Sequence, residues 1–441
     1  MQLQTGLALA WTLILPGCQL LSPIPNGSTP ISQRLEESRS LVAQRKAEAA
    51  SLSLREKASC FERRLRNDFV LKPYTLVQQR LKPNRSEGHL GTTALFLAAL
   101  SFKYGTLKDP ADEALALGVV NALRAMDAAN GFDGYLPEAV RLGDDGLLVT
   151  RNAARSNAYS LLLFSYLYAY AHFDNAELKG AIRDHIKAIG NHFLKHDLVL
   201  HDETGKPLAH SNLAPSRLKF SRSRCLEGLV LVETVLAVLR ETEDCDLVEA
   251  MRKQRQKMIR AGYLAKIQNL QFSFLNLLIP THSTDWLNFV RLCALTEATD
   301  REAYNTALRK LYRSQKHERN PQFAIMYLSR NPELPADLLK REIHTYLSSF
   351  PLSLNNHEII NRKDRDIQQK LFPPLVKHSW RAEAKVPLPI YRRPLSYNEW
   401  KQNPFRLDGK FHKRGRVLFP GTDFLLAYWM GRYYQLIGEG S

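Results

Sequence analysis

Ser160 to Phe173 reads SLLLFSYLYAYAHF, fourteen residues without an Asp, Glu, Lys or Arg. The run is too short to cross a bilayer as a helix, and its apolar positions do not alternate as a half-buried strand would. It reads as a core helix, apolar on nearly every face and therefore surrounded by other helices. Gly91–Phe102 (GTTALFLAALSF) shares this character, and in Thr422–Ile437 (TDFLLAYWMGRYYQLI) residues 425, 428, 429 and 432 share a face that reads as mostly core. Between them lie amphipathic segments, and the pattern predicts helices near 90–104, 111–128, 157–173, 175–195, 222–241, 245–260, 284–298, 301–314, 320–330 and 335–349. Glu36–Arg66 reads as an exposed amphipathic start with charges spaced i,i+4. Strand-like alternation is scarce, so the expected class is all-α. Helices of two kinds, some buried all round and some on one face, pack well as two concentric rings. Successive helices then pair as antiparallel hairpins, with their loops gathered at the ends of the barrel. An open stack of helical pairs is the alternative, and the lack of a clear 34- or 40-residue repeat argues against it.

The rest of the composition sets limits. The chain has 441 residues, 44% of them hydrophobic and 24% charged, enough for one large core or two medium ones and unlike a disordered or cysteine-stapled chain. Lys and Arg number 61 against 44 Asp and Glu, a formal charge of +17 that favours anionic partners. More than half of that surplus sits in residues 351–420, where eight prolines and fifteen Lys/Arg face six Asp/Glu. Trp380, Tyr391, Tyr397, Trp400 and Phe405 argue for order there, so the stretch reads as an irregular basic wrap across the domain. A last helix from Thr422 follows, with Thr422 or Asp423 able to cap it.

At the other end, Leu7–Leu15 (LALAWTLIL) has the length of a secretory h-region. Leu15-Pro16-Gly17-Cys18 follows, and this resembles the lipobox of bacterial lipoproteins. The resemblance implies a signal peptide over 1–17, cleavage before Cys18 and acylation of that cysteine, which would anchor the protein to membrane lipid. Gln19 in place of Asp resembles outer-membrane sorting in diderm bacteria, facing the periplasm or the exterior. Residues 19–35, rich in Pro and Ser/Thr, read with Cys18 as a tether (18–35), leaving 36–441 as a single domain. Cys60, Cys225, Cys245 and Cys293 remain, with three possible pairings.

The segment order Gly91–Phe102, Gly131–Arg141 (GFDGYLPEAVR), Arg155–Tyr170 (RSNAYSLLLFSYLYAY) and Pro420–Tyr434 (PGTDFLLAYWMGRYY) is similar to that of the six-hairpin glycosidase-like (α/α) toroids. That resemblance implies glycoside hydrolase or polysaccharide lyase chemistry on hairpin loops. Where hydrolase-type members often present Arg-Asp-Gln, this chain has Arg155-Ser156-Asn157, and the carboxylate is missing.

No G-x-S-x-G, P-loop, G-x-G-x-x-G or H-E-x-x-H motif occurs, and no cofactor or metal is expected. His196-Asp197 and His201-Asp202, five apart, do not share a helical face and read as loop residues. Glycoside cleavage needs an acid and a second carboxylate. Asp133 and Glu138, flanking a Gly-Tyr-Leu-Pro turn, are the expected pair, with Glu87 and Asp423 in reserve. Phe132 and Tyr135 would offer ring faces to a sugar, with His89 and Trp400 beside them. Elimination on a uronate instead needs cations and a Tyr or His base, and Arg151, Asn152, Arg155, Asn157 and Tyr159 form such a cluster. Lys410, His412, Lys413, Arg414 and Arg416 add a basic run near aromatics; in an envelope protein this suits an anionic polymer better than nucleic acid. The expectation is thus a monomeric, envelope-anchored protein that binds or cleaves a neutral or anionic glycan, with a non-catalytic lipoprotein docking a polymer or protein as the alternative.

Overall fold

Six helices that are buried along almost their whole length close into a ring in the computed structural model. It describes residues 30–81, 86–153, 155–201, 205–215, 221–240, 245–270, 282–372, 381–409 and 415–440. The chain opens with α1 (Ile31–Ala50) and α2 (Leu54–Arg64), continues with α3 (Leu90–Leu107), α4 (Pro110–Ala128), α5 (Ser156–His172), α6 (Ala176–Lys195), α7 (Arg222–Val238), α8 (Cys245–Arg260), the short α9 (Tyr263–Ile267), α10 (His282–Ala298), α11 (Glu302–Gln315), α12 (Pro321–Leu328) and α13 (Asp337–Ser348), and ends with α14 (Thr422–Tyr433). Contacts run from α3 to α5, α7, α10, α12, α14 and back to α3, which closes the inner ring. Outside it, α4, α6, α8, α11 and α13 lie against this ring, and α2 lies against α14. This is an all-α (α/α) toroid of six hairpins.

The sequence explains which helix goes where. In α5 the residues Tyr159–Ala169 are all buried, so neighbours surround it. In α6 only Leu178, Ala181, Ile182, His185, Ile186, Ile189, Gly190 and Phe193 are buried, a single stripe at helical spacing. Several starts are fixed by short polar caps. The Asp109 carboxylate accepts from the Ala111 N–H ahead of Pro110, and Asn175 and Asn320 cap α6 and α12.

Three departures from the sequence reading have local causes. Glu36–Arg66 is two helices, divided at Ser53, whose hydroxyl accepts from the Glu56 N–H while the Glu56 carboxylate accepts from the Ser53 N–H. Helix α1 starts at Ile31, inside the stretch read as a tether. Short strands, β1 (Val70–Leu71), β2 (Leu76–Val77) and β3 (Gly88–His89), lead to a hairpin of β4 (Pro137–Gly143) and β5 (Gly146–Ala153). Gly143 and Gly146 pair around Asp144-Asp145, a two-residue turn that the reading of a helix-linking loop missed. Residues 351–420 are irregular where described, apart from β8 (Gln369–Phe372), β9 (Arg381–Ala384) and two short turns; β6 (Val199–His201) and β7 (Pro207–Asn212) make one more hairpin. Cys18, Trp380 and the run Lys410–Arg414 lie outside the described residues. Cys60, Cys225 and Cys293 are free thiols. No described helix is long and apolar enough to cross a membrane.

Candidate functional site

Each hairpin returns the chain, so all six inner helices start at the same end of the ring. A cavity of about 250 Å³ opens there, walled by the first residues of α3, α5 and α10 and by Tyr397, Asn398 and Lys401 from the basic wrap. Helix N-termini carry partial positive charge and unpaired N–H groups, so this end suits oxygen-rich or anionic ligands.

Strand register brings the expected carboxylates to the rim. β3 pairs with β4, placing Gly88 opposite Val140 and His89 opposite Ala139. Glu138 therefore sits beside the Glu87–His89 segment, and β5 adds Arg151. The Arg151 guanidinium lies 3.9 Å from Glu87 and 3.8 Å from Glu138, while His89 Nε2 lies 4.0 Å from Glu87. His89, Glu138, Arg155 and Asn157 line the cavity directly.

Asp133 is elsewhere. Gly134 adopts φ +77°, and a Cβ there would come within 2.4 Å of the Ala188 carbonyl, so the turn is pressed onto α6. The Gly134 N–H donates to Asp127 at 2.9 Å, and Asp127 faces His185 at 3.3 Å. This fastens 131–135 to the outer layer, where Phe132, 49% exposed, and Asp133 line a separate cavity of about 680 Å³ with His192, His196 and His201. Tyr135 is 1% exposed and stacks on His192 at 5.7 Å. Of the proposed carboxylates, Glu87 and Glu138 converge and Asp133 does not join them.

Two more expected contacts turn inward. The Tyr159 hydroxyl donates to the Gly134 carbonyl and accepts from the Leu136 N–H at 2.8 Å, and burial raises its pKa far above the ordinary range. Tyr159 holds the turn and cannot serve as a base. Trp400 is buried against Phe350, its indole N–H donating to the Asp423 carbonyl at 2.9 Å. The three-residue turn Glu399–Lys401 sends Trp400 into the core and Lys401 to the mouth. The Asp423 carboxylate accepts from the Glu399 N–H at 2.6 Å beneath the floor.

Residues the sequence reading passed over complete the site. Trp286, only 2% exposed, and Tyr397, with the Lys401 ammonium over its ring, line the wall. Burial lowers the Lys401 pKa to about 8, with Asp423 and Glu138 pulling it back upward; Lys401 also donates to the Tyr397 hydroxyl. Burial raises Asp423 to about 6 and Glu399 to about 8. Below the mouth, Arg291 is completely enclosed and pairs with Glu227. It donates to Asn157 Oδ1 at 2.7 Å, Ser160 Oγ at 3.0 Å and Ser223 Oγ at 2.8 Å, tying together the starts of α5 and α7 from α10. The available signal was Arg291 alone in the otherwise uncharged stretch Trp286–Thr296, a charge that burial tolerates only when paired. Among the described residues no group of three or more His, Cys, Asp or Glu is arranged to hold a metal.

No family profile matches the chain, and no curated relative does. Similar solved structures include a D-mannose isomerase, 11% identical over 93% of this chain and 100% of the other, with a TM-score of 0.47. A cellobiose 2-epimerase from Spirochaeta thermophila is 12% identical over 87% and 97%, with a TM-score of 0.42. A metagenome-derived glycoside hydrolase family 9 endoglucanase is 11% identical over 86% and 81%, with a TM-score of 0.33.

Proposed function

We propose that the protein binds a sugar at the mouth of the toroid and performs acid–base chemistry on it, while held at the bacterial envelope through Cys18. The observation that carries the reading is the convergence of Glu138, His89, Arg155, Asn157 and Lys401 on one cavity with Trp286 and Tyr397. Carboxylate, amide and cationic groups match the hydroxyls of a sugar. The volume lies below the ~300–1,000 Å³ of a drug-sized site and suits a terminal sugar unit. Glu138 is assigned as the base and the Lys401 ammonium as the acid. Glu87 and Arg151 position Glu138, and the sharing of one guanidinium by both carboxylates speaks against their flanking a glycosidic bond. Tyr159 being unable to act as base speaks against elimination at the Arg151–Tyr159 cluster.

The second reading, a non-catalytic envelope protein, is favoured by Ser156 where hydrolases often carry Asp. A pH profile tests the first. With Lys401 depressed to about 8, its ammonium is lost as pH rises through that value, and turnover falls with it. In Lys401→Met the basic limb near 8 disappears together with most of the activity. An identical profile in that variant removes Lys401 from the mechanism. Asp133→Asn, in the outer cavity, is expected to leave kcat and KM within about twofold, since surface changes rarely matter by more than ~0.5 kcal/mol; an assay of the purified variant on the same sugar checks this.

A further inference from the structure

We infer that the sugar held at the mouth is an acidic one, whose carboxylate or phosphate is read by Arg155, Asn157 and Asn398. The inference rests on the proposed sugar site and names the class of its ligand. Two amides in the cavity wall are oriented by bonds made inside the protein. Arg291 donates to Asn157 Oδ1 at 2.7 Å, and the Trp400 N–H donates to Asn398 Oδ1 at 3.1 Å. Each amide thus has its oxygen engaged and keeps its NH2 group for the cavity that both residues line. Asn398 is 1% exposed, and its NH2 group has no partner among the described residues. A donor so enclosed calls for an acceptor.

The neighbouring groups are donors too. Arg155 stands exposed at the start of α5, lines the same cavity, and has no ion-pair partner among the described residues. Lys401 donates to the Tyr397 hydroxyl and lies 3.8 Å from the centre of that ring, with no described carboxylate in ion-pair contact. No side chain caps the first turn of α3 or of α5, so N–H groups at both helix starts are left for a ligand. Against these donors, Glu138 is the one carboxylate lining the cavity among the described residues, and Arg151 lies 3.8 Å from it. A hydroxyl both gives and takes hydrogen bonds, so a neutral sugar would leave part of this array unmatched. An ionised carboxylate or phosphate only accepts, and each of its oxygens can take more than one N–H.

The test is titration calorimetry on the full chain with pairs of sugars that differ only at C6. The pairs are glucose and glucuronate, galactose and galacturonate, and mannose and mannuronate, with glucose 6-phosphate added to tell a phosphate from a carboxylate. At least one acid should bind at least about tenfold tighter than its neutral partner, the size of one charge-assisted hydrogen bond. That margin should shrink as salt is raised. Asn157→Asp keeps the oxygen that Arg291 holds and turns the NH2 donor into a second oxygen, so it should erase the margin. Arg155→Gln, at an exposed position, should cut the margin to within about twofold with the helical signal unchanged. A margin for glucose 6-phosphate alone supports the inference and assigns the phosphate. Equal or weaker binding of every acid overturns the inference and leaves the sugar site standing. A margin unchanged in both variants overturns the assignment to these residues. Binding of no sugar at all overturns the inference and the sugar site together.

Discussion

Glu138→Gln lowers turnover of the sugar substrate by about 10²–10⁴-fold while leaving the circular dichroism spectrum and melting temperature close to those of the unsubstituted protein. The size follows from the loss of a positioned general base. The stability follows from place: Glu138 is on β4, partly open to the cavity, and its one ion-pair contact among the described residues is a 3.8 Å approach by Arg151. Exposed pairs of that kind contribute little to folding. Steady-state kinetics on Glu138→Gln, with Glu138→Asp beside it, separates the roles. A base that only needs moving recovers part of kcat in the aspartate variant, whereas a residue that merely binds hydroxyls shows its effect in KM alone. Retention of full kcat by Glu138→Gln would remove it as the base.

Arg291→Met is expected to destabilise the fold by about 3–5 kcal/mol, because it leaves the Glu227 carboxylate buried without its partner. Loss of the three further hydrogen bonds to Asn157, Ser160 and Ser223 loosens the wall of the mouth as well. Urea denaturation followed by circular dichroism measures this. The double variant Arg291→Met with Glu227→Leu should regain most of the loss, since removing both members of a buried pair is often close to neutral. A single variant within about 1 kcal/mol of the parent would mean that the pair does not sit in the interior.

The ring was legible in the sequence because burial on all sides leaves a distinct trace. SLLLFSYLYAYAHF has no polar face to turn to water, and α6 beside it has one, so inner and outer helices separate by pattern alone. His89, Arg155 and Asn157 were reachable too, since they flank inner-helix starts, and Glu138 because it follows the Gly-Tyr-Leu-Pro turn. What pattern could not supply was the direction of turns. Asp133 and Glu138 lie five residues apart, yet one glycine in the left-handed region pins the first to α6 while strand pairing carries the second to the rim. Trp400 and Lys401 are neighbours, and a single helical turn sends them to opposite sides. Contacts from distant segments, such as Arg291 to Asn157 or Lys401 to the mouth, depend on closure of the ring and leave no local mark. The β4–β5 hairpin did have a signal, Gly143-Asp144-Asp145-Gly146, hidden because a register shift at Ala139/Val140 breaks the alternation along β4.

Saturation-transfer NMR of the full chain against a panel of monosaccharides and short oligosaccharides tests the central claim most directly, in parent protein, Glu138→Gln, Lys401→Met and Asp133→Asn. Magnetisation should reach the ring protons of at least one sugar in the parent and in Asp133→Asn, and be strongly reduced in the two mouth variants. Transfer that survives both mouth substitutions but vanishes in Asp133→Asn, or transfer to no sugar at all, would contradict a sugar site at the amino-terminal ends of the inner helices.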